Sequence, residues 1–189
     1  MGKLRWIFVL MALGVGVLLA RVSQASLVMA LDTTELTKRA DHIAVADVVS
    51  VQSAWDQAHK KIYTTIDLSV VESWKGGMQP ASHITVVQPG GTVGDIAMTV
   101  FGMSHFTPGE RTLVFLRGTP TAAGVVGMAQ GKRPMLRDAV SGKWTVGVAS
   151  NAGLERVPSK SISSPTAVES ARSLDEMRGQ VQQILKAQP

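Results

Sequence analysis

Along residues 61–77, KIYTTIDLSVVESWKGG, apolar and polar side chains alternate. Ile62, Thr64, Ile66, Leu68 and Val70 share one parity; Tyr63, Thr65, Asp67 and Ser69 share the other. A period of two predicts a long strand with one buried and one mostly wet face. Trp74-Lys75-Gly76-Gly77 ends it in a turn. His42 to Val51 predicts the strand before it. Ile43, Val45, Val49 and Val51 lie on one side and Ala44, Ala46 and Val48 on the other, so both faces are at least partly covered. Asp47 interrupts the inner row and marks a bulge that would turn its side chain outward. The polar stretch QSAWDQAHK, 52–60, joins the two strands as a hairpin. Further strands are predicted at His83–Gln88, Arg111–Arg117, Val125–Gln130 and Lys143–Ala149, each bounded by turn residues such as Pro89-Gly90-Gly91 and Thr107-Pro108-Gly109-Glu110. Short strands at regular spacing predict a sandwich or small barrel.

Residues 89–108, PGGTVGDIAMTVFGMSHFTP, are glycine-rich yet carry Ile96, Met98, Val100, Phe101, Met103 and Phe106. So apolar a connection either folds back over the sheet or presents a binding surface.

Helical signals stand at both ends. Asp32-Thr33-Thr34-Glu35 has the form of an N-terminal cap with an acid three residues on, and predicts a short helix over about 33–40 with Leu36 and Ala40 inward. Ser173-Leu174-Asp175-Glu176 repeats the pattern. Leu174, Met177, Val181, Ile184 and Leu185 then share one face of a helix over about 173–187, which docks on the strands. SNAGLERVPSKSISSP, 150–165, reads as a linker.

The beginning of the chain changes the charge argument. Lys3 and Arg5 precede an apolar stretch from Trp6 to Ala20, and Ser23 and Ala25 stand where a signal peptidase wants small residues. Residues 1–25 are therefore expected to be a secretory signal cut after Ala25, with a cut after Ala30 as the second site. Arg21 arrives too early for a spanning helix of about 20 residues. Removing the signal leaves 16 basic and 14 acidic residues, net +2 instead of +5, too little for a nucleic-acid footprint. The expected location is the periplasm or the medium, with membrane contact only through the signal before cleavage. The chain has no cysteine, so neither disulfides nor a lipidated cysteine can hold it.

No motif carries catalysis. His42, His59, His83 and His105 form no pair at ligand spacing. Gly102-Met103-Ser104-His105-Phe106 lacks the second glycine of a nucleophile elbow, and Gly90-Gly91 lacks the lysine of a phosphate-binding loop. No catalytic residue, metal ligand or cofactor is assigned. The basic cluster Lys132-Arg133 without interleaved aromatics reads as a solvated face, and Trp55 and Trp74 suit barrel-end plugs and a sugar platform equally.

The order of segments ADHIAVADVVSVQSA, KIYTTIDLSVVESWKG, SHITVVQPGG and FTPGERTLVFLRG resembles the netrin-like module, the OB-fold of tissue inhibitors of metalloproteinases. Ala40-Asp41 opens the first strand, Lys75-Gly76 ends the long second one, and Gly109 to Leu116 matches the glycine-then-strand segment. The likeness covers about 32–131. GMAQGK at Gly127 to Lys132 is similar to a segment of exported bacterial proteins of the same layout. The resemblance implies a mainly β, OB-like closed barrel over 26–149 with a short N-terminal helix and a C-terminal helix within 166–189. It also implies a non-enzymatic binding module that meets a protein, an extracellular metalloprotease being the family's partner. Ser26 at the mature end and Gly90, Gly91, Phe101, His105 and Phe106 of the loop are the expected partner-binding residues. The animal inhibitors begin with a cysteine whose amine and carbonyl chelate the protease zinc, with disulfides pinning that segment; this chain has Ser26 there and no cysteine to fix its geometry, so the resemblance implies a protease-inhibitor-like role through the mature N-terminus and the 89–108 loop without supplying the cysteine mechanism. A carbohydrate or cell-envelope ligand binder is the alternative, and an enzyme the third reading.

Overall fold

The computed structural model describes residues 26–150, 154–157 and 170–188. The expected signal at 1–25 lies outside them, as do the rest of the expected linker and the start of the C-terminal segment. The protein is mainly β, with one short helix near the N-terminus and one at the C-terminus, as expected. In chain order the elements are β1 (Ser26–Met29), α1 (Thr33–Arg39), β2 (His42–Trp55), β3 (Ile62–Lys75), β4 (His83–Pro89), β5 (Gly91–Val93), β6 (Ile96–Met98), β7 (Arg111–Thr119) and β8 (Ala122–Val125). A 3-10 turn (Met128–Gly131), β9 (Lys132–Arg137), β10 (Trp144–Val146), β11 (Leu154–Val157), β12 (Arg172–Ser173) and α2 (Leu174–Lys186) follow.

The pairings close a circuit. β2 pairs with β3 and β7, β3 with β4, and β7 with β8, all antiparallel; β4 meets β8 in parallel at Val86 and Ala123. β9, β10 and β12 extend the sheet from β7. β1 and β11 form a separate parallel pair, and β5 and β6 a separate hairpin.

β3 keeps the predicted alternation: Ile62, Thr64, Ile66, Leu68 and Val70 are buried. β2 corrects the expected rows. Ala44, Ala46 and Val48 face the inside of the circuit with Ile66, Leu68, Val86, Val114 and Leu116. Ile43 and Val45 face a second core with Leu36, Leu113, Phe115, Met177 and Val181. Register shifts between Val48 and Ser50, so parity changes there; Val51 joins the inner row and Val49 is exposed. An extra residue in one strand flips every side chain after it. Asp47 precedes the shift and keeps the parity of Ile43 and Val45, so no bulge is needed to put it on the outer row, where Arg111 grips it with bonds of 2.7 Å from Nε and from Nη2. Burial on both faces explains why β2 and β7 read as nearly continuous apolar runs.

The helices close the second core. Asp32 accepts from the Glu35 amide at 2.7 Å and starts α1. Ser173 and Glu176 form a reciprocal cap that starts α2, as the sequence predicts. Met177 and Val181 are buried against β2 and β7 residues, with Leu174 and Leu185 packed beside them.

Other expectations shift. The strand expected at Val125–Gln130 is replaced by β8 and the 3-10 turn, and β9 follows where a solvated basic face was expected. Arg133 is 2% exposed; Lys132 bonds to Glu110 at 2.6 Å and lies 4.8 Å from the centroid of the Phe106 ring. Of the 150–165 linker, Leu154–Val157 forms β11.

Candidate functional site

The site is built where β4 runs out of sheet. The loop expected at 89–108 holds β5 and β6, joined through Gly94 and Asp95, and Gly94 takes the positive φ of +58° that a two-residue hairpin needs. Gly90 anchors the entrance: its amide bonds to the Ile62 carbonyl at 2.8 Å, and its carbonyl accepts from Thr64 Oγ1 at 2.6 Å. Ser53 Oγ lies 2.9 Å from Thr64 Oγ1. The Thr64 proton is committed to Gly90, so Ser53 donates to Thr64. Neither hydroxyl meets a base, so the pair is structural.

From Met98 the chain turns back across the end of the circuit. Gln88 Nε2 donates to the Ser104 carbonyl at 2.7 Å, and Phe106 is buried among the inner core residues. Between this returning segment, the hairpin and strands β2 and β3 lies a cleft of about 410 Å³. Val51, Ile66, Met98, Val100, Met103 and Phe106 give it apolar walls; Ser53, Thr64, Gln88 and His105 give it polar edges. The volume is that of a small ligand site. Phe101, 66% exposed, and Ile96, 55% exposed, stand outside it.

The expected partner-binding residues thus separate. Gly90, Gly91, His105 and Phe106 line the cleft, but Phe106 is 4% exposed and supports it from within the core. Phe101 is free on the surface near by in sequence, outside the lining. Ser26 belongs to β1, which pairs with β11.

The N-terminal segment and the loop are nevertheless tied to one element. Gln130 Oε1 accepts from the Leu31 amide at 2.8 Å, and its Nε2 donates to the Met29 carbonyl at 3.1 Å. On the same 3-10 turn the Ala129 amide bonds to the Gly102 carbonyl at 2.8 Å, and Ser104 Oγ donates to the Met128 carbonyl at 3.4 Å. Gln130 is buried and has a role that no sequence motif announced.

The tryptophans do not form one platform. Trp55 stacks on His59 at the tip of the β2–β3 hairpin, with ring centroids 6.4 Å apart. Trp74, near the other end of β3, packs on the second core beside Arg178. Trp74 is half-buried there, and Trp55 lies opposite the far end of β3.

Among the described residues no three His, Asp or Glu side chains gather to hold a metal, and no helix is long and apolar enough to cross a membrane. No protein-family model matches the chain, and no curated protein matches it.

Proposed function

We propose that the protein is an exported, non-enzymatic binding module on an OB-like barrel, and that its partner is a protein. The order of the strand circuit, with its one parallel contact between β4 and β8, supports the barrel reading. The apolar stretch with flanking basic and small residues supports export.

One observation carries the binding reading. The 3-10 turn Met128–Gly131 holds the chain at Met29–Leu31 on one side and the 102–104 segment on the other. The two segments that the family likeness marks as partner-binding thus attach to one buried support. Beside it lie a cleft with apolar walls and the exposed Phe101 and Ile96. Exposed aromatic and aliphatic groups on a rigid base are what a protein interface uses as anchors. The resemblance supplies the partner class, an extracellular metalloprotease.

The test is a titration of extracellular zinc metalloproteases from the producing organism with the full chain. Loss of proteolysis with native protein, and its return with Phe101→Ala, supports the reading. Unchanged proteolysis removes the protease partner, and quenching of tryptophan fluorescence by envelope glycans would move the function to the carbohydrate alternative.

A further inference from the structure

β2 is longer than the partner on its outer edge. β7 pairs with it only from His42 to Asp47. The last bonds on that side are the Val48 amide to the Glu110 carbonyl, 2.9 Å, and the Gly109 amide to the Val48 carbonyl, 2.8 Å. The turn at 107–110 then carries the chain away, and among the described residues no strand pairs with that edge of Ser50–Trp55, the β5–β6 hairpin lying over the Ser53 side chain instead.

The register fixes which backbone groups are left open. The Gly90 amide bonds to the Ile62 carbonyl, so even-numbered residues of this part of β3 face β4 and odd-numbered ones face β2. Tyr63, Thr65 and Asp67 oppose Ala54, Gln52 and Ser50, so those β2 residues spend their N–H and C=O on β3. Val51, Ser53 and Trp55 point theirs the other way, in line with Val48. The shift between Val48 and Ser50 is what brings Val48 and Val51 onto the same edge and the same inner row.

Val51 and Ser53 also line the cleft. An edge of alternating donors and acceptors, spaced about 6.6 Å apart, is matched only by another extended backbone. Lying there, such a backbone would send alternate side chains over the Val51, Ile66, Met98 and Met103 walls. We infer that the cleft accepts an extended peptide segment of the partner, added antiparallel to β2 along Val51–Trp55 as a continuation of the β7 line, with an apolar side chain in the cleft. This deepens the protein-binding reading and rests on it.

The test uses the full chain and random peptides displayed on phage. A selected peptide is added to the protein, and amide exchange is followed residue by residue. The amides of Val51, Ser53 and Trp55 are expected to slow roughly tenfold or more, while those of Gln52 and Ala54, already bonded to β3, change little. Ser53→Pro removes an edge donor at a position where proline spares the β2–β3 ladder. It is expected to weaken the peptide roughly tenfold, and Ser53→Ala, which keeps the N–H, much less. A peptide that perturbs Phe101 and His105 but leaves Val51, Ser53 and Trp55 exchanging as before, and binds Ser53→Pro equally, overturns the edge inference and leaves the wider reading standing. Failure to select any peptide also overturns it, because an open edge reads backbone more than sequence; the wider reading then rests on the protease titration alone.

Discussion

Ser53 and Thr64 hold their hydroxyls 2.9 Å apart under Gly91. A Cβ placed on Gly91 would lie 2.3 Å from Ser53 Oγ and 2.4 Å from Thr64 Oγ1, and the backbone there has φ +137°. Glycine is therefore what lets the β5–β6 hairpin sit down on β2 and β3 and shape the cleft. Gly91→Ala is expected to cost about 2–3 kcal/mol through steric overlap and strain. Gly94→Ala, with φ +58° and nothing within 4 Å of the added carbon, is expected to cost about 1 kcal/mol. Urea denaturation of both variants measures the difference, and equal costs would contradict the close seating.

Phe101 and Phe106 allow the proposed binding face to be tested apart from stability. Phe106 is 4% exposed in the inner core, so Phe106→Ala is expected to cost about 3–5 kcal/mol. Phe101 is 66% exposed, and Phe101→Ala is expected to change stability by less than about 0.5 kcal/mol while weakening the partner. Thermal melting of the two variants checks the stability half of this statement.

Gln130 links the N-terminal segment to the 3-10 turn through bonds to Leu31 and Met29. Gln130→Ala leaves a buried amide and a carbonyl without their partner and is expected to cost about 2 kcal/mol. Hydrogen exchange at the Leu31 amide should accelerate in the variant. An unchanged rate would mean that Gln130 does not hold the segment.

Arg178 fastens α2 to β3 through two parallel bonds to Glu72, 2.7 Å from Nε and 2.8 Å from Nη2. These bonds hold the Glu72 carboxyl below the usual glutamate range, against the opposing effect of partial burial. A depressed folded value stabilises fully above the unfolded value of about 4.3, and the contribution is lost as pH falls through the folded value. Both groups are partly exposed, so Glu72→Gln is expected to cost about 1 kcal/mol at neutral pH. The gap to the wild type should narrow below about pH 4. Urea denaturation at the two pH values checks the sign.

Where burial follows a local period, the sequence can be read directly. The row Ile62 to Val70, the caps at Asp32 and Ser173, and the apolar face of α2 are of this kind. The shift at Val48–Ser50 was not legible, because a bulge is set by the partner strand and Asp47 only marked its neighbourhood. The β5–β6 hairpin did carry a signal, Gly94-Asp95 between short apolar pairs, which the surrounding glycines obscured. The burial of Arg133 carried none, since a charge next to Lys132 reads as solvent-facing until β9 pairs with β7. Nor could a glutamine announce a bond to a residue 99 positions away. The cleft follows from such distant contacts: its 89–106 residues were legible only as a loop of unusual apolarity, and Val51, Ser53, Thr64 and Ile66 only as strand positions.

The most direct test of the binding face is a paired capture. Native full chain and Phe101→Ala, shown to melt alike, are exposed to the secreted and envelope proteins of the producing organism. Retained proteins are quantified by mass spectrometry, and their cross-links to the bait are mapped. The expected result is a protein cross-linked within 91–106 or near Met29–Leu31, retained by the native chain and depleted with Phe101→Ala. Equal retention by both, with cross-links confined to α2 or the β9–β10 side, would contradict the account.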